Sequence, residues 1–145
     1  MSEESGKRTQ TEFRRRLERA IRRDGRYAPE AFEFLHRGLD LAARHRYGAD
    51  DSERPRHVNG GELCYALRYL ARRRWGLLAR EVLRHWNIHR TRDFGEMVYL
   101  MIDLGIMGKQ DSEDIADFDE VYTFRAAFES YQIKLDRFNG QDPPT

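Results

Sequence analysis

The sequence predicts a mainly α-helical domain: about five helices, a winged-helix-like centre and a small β element after Gly108. Three observations predict it. Apolar residues recur at i, i+3 and i+4 in separate segments along the chain. Residues that start or stop helices bound those segments. After Gly108 the helical period lapses into an acidic stretch and an aromatic-rich run.

The elements follow in order. Met1–Lys7 is polar, and residues 1–8 are expected to be a disordered tail. Thr9-Gln10-Thr11-Glu12 fits a capping box with Thr9 as N-cap, so a first helix is predicted from there to about Arg23. Its apolar stripe is thin, only Phe13, Leu17 and Ile21, and arginines cover the rest. Asp24-Gly25 ends it. Pro29 opens a second helix at N1, where its missing N–H leaves nothing unsatisfied. Phe32, Leu35, Leu39 and Ala42 form its stripe, widened by Phe34, Gly38 and Leu41, and Gly48 suits its C′ position. Residues 49–56 are a polar loop, too short to separate two domains.

Asn59-Gly60-Gly61-Glu62 is a second capping box. The third helix points Leu63, Leu67, Leu70 and Ala71 inward and stops at Gly76. A fourth, about 77–86, buries Leu78, Val82, Leu83 and Trp86. Asn87–Arg90 is a turn. Asp93-x-x-Glu96 is expected to cap a fifth helix with Phe94, Met97, Val98, Met101, Ile102 and Leu104 on its apolar side. Gly105 and Gly108 break it. Gln110–Asp117 reads as an acidic loop. Phe118–Phe124 is either a strand or the lead-in to a short helix carrying Phe124, Ala127, Phe128 and Tyr131, and Ile133–Phe138 is a candidate partner strand. Residues 139–145 are expected to be a second disordered tail, which leaves 9–138 as a single helical domain. Helices four and five, followed by a Gly-broken segment and a hairpin, would resemble a winged helix-turn-helix.

Composition narrows the function. The chain has 145 residues, enough for one domain that buries roughly two-thirds of the surface its unfolded chain exposes. Net charge is +1, yet the charge is polarised. Residues 7–26 carry nine basic side chains against three acidic ones, and residues 103–120 carry seven acidic side chains against Lys109. Of the 26 cations, 23 are Arg, which suits bidentate recognition of phosphate or carboxylate. Arginine is also scattered along the whole chain, as codon usage alone would leave it. The single Cys excludes an internal disulfide framework. Met1–Gln10 has no apolar run of a signal peptide, and no stretch approaches a transmembrane span, so a cytoplasmic setting is expected.

Four segments carry a resemblance: Arg26-Tyr27-x-x-Glu30-Ala31-Phe32-x-Phe34, His57-Val58-x-Gly60-x-Glu62-Leu63, Arg90-Thr91-x-Asp93-Phe94-Gly95-Glu96 and Gly105-Ile106-Met107-Gly108-Lys109. They are similar to a family of conserved hypothetical proteins of planctomycete and verrucomicrobial bacteria. The resemblance covers roughly residues 24–128. That family has no assigned activity or site, so the resemblance implies only a bacterial cytoplasmic setting.

Chemistry-bearing residues are few. His85 and His89 stand four apart, as two metal ligands on one helix face would, but Asn87-Ile88 interrupts the helix and no HExxH pattern exists. Cys64 lies beside core positions and reads as a small hydrophobe, with His57 as its only obvious base. No nucleotide-binding or nucleophile-elbow motif is present. No catalytic residue, cofactor or metal is therefore predicted. A surface of Arg15, Arg19, Arg22, Arg68, Arg72, Arg80 and Arg84 is the candidate interaction face, and Asp111, Glu113, Asp114 and Asp117 form an acidic counterpart. Tyr65 and Tyr69, at i and i+4, are either a core margin or a stacking platform. The expected function is a non-enzymatic cytoplasmic protein-interaction or adaptor domain that binds a protein partner or itself. The alternative is RNA or DNA binding through the Arg-rich first helix. Asp93, Glu96 and Asp103 on the fifth helix argue against that helix as the reader, because a duplex repels carboxylates.

Overall fold

The computed structural model describes residues 2–48, 57–108 and 113–129. Five α-helices run through them: α1 (Ser2–Asp24), α2 (Pro29–Tyr47), α3 (Gly60–Trp75), α4 (Ala79–His85) and α5 (Thr91–Asp103). Short 3₁₀ turns occupy Gly76–Leu78 and Ile115–Phe118, and a π-helical turn spans Arg125–Glu129. The loop 49–56, Asp111, Ile133–Phe138 and the tail 139–145 lie outside the described residues.

The mainly helical expectation holds, and the wing does not. No strand occurs among the described residues. Phe118–Phe124, the candidate strand, is the end of a 3₁₀ turn, a turn and bend with Glu120 at φ 50°, and the start of a helical turn. Asp114 explains why. Its Oδ1 accepts from the Ala116 N–H at 3.0 Å, while Asp117 Oδ2 accepts from the Asp114 N–H at 3.2 Å. That reciprocal cap closes a turn in a segment that composition alone marks as a solvated acidic loop. Nor do α4 and α5 pack closely as a helix-turn-helix pair among the described residues. α4 rests on α3 and on the π-helical turn rather than on α5.

α3 is the central strut. It packs against α2, α4, α5 and the Ile115–Phe118 turn. Its predicted capping box is present: Asn59 Oδ1 accepts from the Glu62 N–H at 2.7 Å, and Glu62 Oε1 accepts from the Asn59 N–H at 3.1 Å. Leu63, Cys64, Leu67 and Ala71 are buried. α2 lies close along it because Gly38 has no side chain; a Cβ there would stand 2.2 Å from Leu67 Cδ2. One turn earlier on the same face of α2, Phe34 closes an aromatic group with Trp75 at 5.1 Å and Trp86 at 5.8 Å between ring centroids.

α5 is held in a cradle. Phe118 sits so close over it that a Cβ on Gly95 would lie 2.8 Å from the ring. Gly60 of α3 faces the same ring, with a Cβ contact of 3.2 Å. The buried Thr91 hydroxyl donates to the Phe118 carbonyl at 2.6 Å and accepts from the Val121 N–H at 3.2 Å. The segment expected to be a free wing is thus wedged between α3 and α5. Further along, Tyr122 donates to the Cys64 carbonyl at 2.6 Å, Phe124 packs on Phe94, and Phe128 packs on Phe124.

Three helix ends differ from expectation. α1 begins at Ser2, so Thr9 is an interior residue rather than an N-cap. α5 begins at Thr91, which makes Asp93 the N3 residue instead of the cap. Asp93 Oδ2 accepts from the N–H groups of His89 and Arg90, and its Oδ1 accepts from the Tyr27 hydroxyl at 2.7 Å. α4 is shorter than predicted because Gly76 adopts φ 56° and hands the chain to a 3₁₀ turn. Leu78, expected in the core, is therefore 66% exposed, and Ala79 takes the buried place.

Candidate functional site

The residues with chemical potential are dispersed or tied to the fold. Cys64 is buried, and desolvation pushes its thiol up to about 12, the wrong direction for a nucleophile. His85 ends α4 and is exposed. His89 follows Asn87, whose φ of 68° breaks the helix between the two histidines. The His89 ring meets Asn87 Oδ1 at 3.0 Å. No group of three metal-ligating side chains occurs among the described residues. His57 borders a cleft of about 80 Å³ with Tyr99, Glu113, Asp114 and Asp117 at its rim and Leu39, Leu63, Val98 and Phe118 as apolar lining. Cofactor pockets usually measure about 300–1,000 Å³, so this cleft holds little more than solvent. Burial, then Glu113, Asp114 and Asp117, raise the Tyr99 hydroxyl's pKa.

The predicted arginine surface divides into two sets. Arg80 and Arg84 are spent in ion pairs, Arg80 with Glu129 at 2.6 Å and Arg84 with Glu81 at 3.0 Å. Both drop out of the candidate face. Arg15, Arg19 and Arg22 of α1 are exposed, and no ion pair joins them to a carboxylate among the described residues. Arg68 and Arg72 lie on α3, half-buried. Arg68 reaches to 5.9 Å from the Tyr65 ring centroid, and its buried Nε has no acceptor among the described residues.

Around those two arginines α3 turns an unusual face to solvent. Tyr65 is 50% exposed and Tyr69 38%, and Tyr65 also meets the Tyr122 ring at 5.6 Å between centroids, so the pair forms a ridge that shows to solvent while bordering the core. Arg73, one turn further, donates to the Tyr69 hydroxyl at 3.2 Å. Tyr65, Tyr69 and Arg73 fall at i, i+4 and i+8, opposite the buried Leu63, Leu67 and Ala71. The turn that follows adds Leu77 and Leu78, 56% and 66% exposed. Sequence reasoning missed the two leucines, since helical spacing continued through Gly76 would have buried Leu78. The tyrosine ridge was visible in the i, i+4 spacing.

The acidic counterpart is mostly structural. Asp114 and Asp117 cap their own turn. Glu96 and Asp119, which would repel a nucleic acid, are neutralised: Glu96 by Arg26 at 3.1 Å and Arg92 at 3.2 Å, and Asp119 by Arg92 at 3.0 Å. Among the described residues no helix is long and apolar enough to cross a membrane. No family model matches the chain, and neither a curated protein nor a solved structure matches it.

Proposed function

We propose that this chain is a non-enzymatic cytoplasmic protein-interaction domain whose contact surface is the outer face of α3 and the turn after it. The observation that carries the reading is the exposure of Tyr65, Tyr69, Leu77 and Leu78 on one short stretch of chain. Tyrosine and arginine are enriched among the few residues that dominate binding energy at protein interfaces. A tyrosine gives large contact area for two rotatable bonds. Arg68, Arg72 and Arg73 supply positive charge beside that area and favour an acidic partner. The raised thiol of Cys64 and the smallness of the His57 cleft support a binding role over a catalytic one.

The test compares the protein with a Tyr65→Ser/Tyr69→Ser/Leu77→Ser variant in cross-linked capture from bacterial extract, followed by sedimentation of the purified chain with itself and with each captured protein. A protein that binds the unaltered chain directly, and binds the variant at least tenfold more weakly at unchanged melting temperature, supports the reading. Equal binding by both chains, or no direct binder and no self-association, ends it.

A further inference from the structure

We infer that the outward face of α1 docks on double-stranded DNA through its phosphates. At 3.6 residues per turn, Arg8, Arg15, Arg16, Arg19, Arg22 and Arg23 fall within about 120° of arc. All six are exposed. The opposite side of the helix carries Leu17, half-buried, and Ile21, 3% exposed, which seat α1 on the core. Between Arg8 and Arg23 only Glu12 shares the basic arc. None of the six forms an ion pair among the described residues, whereas Arg26, Arg37, Arg44, Arg46, Arg80, Arg84 and Arg92 all do. Arg14, Arg68, Arg73, Arg74, Arg90 and Arg125 also stand outside the ion pairs of the described residues, but they are spread over several elements, whereas α1 sets six such arginines on one face.

The dimensions fit one partner. Arg8 to Arg23 spans about 22 Å at 1.5 Å per residue. A duplex presents about 13 negative charges over that length. A helix with its side chains is about 10–12 Å across, and the major groove of B-form DNA is about 12 Å wide. The A-form groove of RNA is too narrow and deep for it. A lipid surface would require the apolar side of α1, and Ile21 already buries that side against the core. Guanidinium groups bind phosphate oxygens in pairs, and no Asn or Gln stands within the arc to read adenine. This surface is separate from the α3 face, and either can fail without the other.

Fluorescence anisotropy of the full chain with a DNA duplex of about 24 base pairs tests it, across about 50–300 mM salt. Five phosphate contacts predict a slope of log affinity against log salt of about −4.5. Arg15→Gln/Arg19→Gln/Arg22→Gln should flatten that slope by about 2.7 and weaken binding at least tenfold, with circular dichroism unchanged. Tyr65→Ser/Tyr69→Ser should leave the slope as it is. The inference is overturned by absence of DNA binding at the lowest salt or by a triple variant that binds like the unaltered chain. It is equally overturned if an RNA duplex, an acidic polyglutamate peptide or phosphatidylglycerol vesicles bind α1 as tightly as the DNA does.

Discussion

α1 and α5 are both amphipathic and both crowded with charge, yet they spend that charge in opposite ways. α5 is embedded: Thr91, Phe94, Gly95, Met97 and Val98 are buried, and Phe118 is wedged against it. Its Arg92, Asp93 and Glu96 are bonded to Asp119, Tyr27 and Arg26. Among the described residues α1 has one buried side chain, Ile21, and an arginine face with no carboxylate partner. The difference lies in how much apolar surface each helix offers. A broad stripe draws in neighbours, and neighbours bring countercharges. A thin stripe leaves a helix attached along one line, with its charge turned to solvent. The first arrangement builds the frame, and the second leaves charge free for a partner.

The comparison breaks most sharply at Phe118. Phe118→Ala removes the wedge between Gly60 and Gly95 and should cost about 3–5 kcal/mol in denaturant unfolding. A cost below about 1 kcal/mol would show that α5 is not held this way. Next comes Gly95→Ala, whose added methyl meets the Phe118 ring and backbone-proximal Cβ at 2.8–2.9 Å. It should destabilise by about 1–3 kcal/mol despite the better helix propensity of alanine. Stabilisation instead would mean that Phe118 moves freely. Asn59→Ala, which opens the capping box of α3, should cost about 1 kcal/mol. An unchanged midpoint would place the helix start elsewhere.

Alkaline pH probes the same frame more gently. Burial, then the hydrogen bond to Asp93, raises the Tyr27 hydroxyl, and burial raises Cys64 and Tyr122. All three lose a proton more readily unfolded than folded. The stability they contribute is whole below their ordinary values and drains as pH climbs toward the folded-state ones. For Cys64 that window runs from 9.0 to about 12. Unfolding free energy measured by urea titration should therefore fall above pH 9, and Tyr27→Phe should shallow the fall. A flat profile from pH 8 to about 11 would contradict the burial of these groups. The smallest effect belongs to α1. Arg15→Gln/Arg19→Gln/Arg22→Gln should leave the melting temperature unchanged, and a marked drop would mean that these arginines support the frame after all.

The sequence by itself determined the helices with strong local signals. Pro29 with Gly48 marked both ends of α2, the Asn59/Glu62 box marked the start of α3, and the period of Leu63, Leu67 and Ala71 set its inner face. These are interactions between residues a few positions apart, so local order carries them. It also located the tyrosine ridge and the arginines of α1, because helical spacing fixes which residues share a face. Tertiary structure alone decided the rest. The Asp114–Asp117 cap is local, but it could be read only once Phe118 was known to be anchored by Thr91 and fitted against Gly60 and Gly95, residues 23 and more positions away. Likewise Arg80 met Glu129, and Arg26 and Arg92 met Glu96 and Asp119, through contacts that no spacing encodes. Charge counted along a chain cannot say which arginines are already paired; only packing brings the carboxylates within reach.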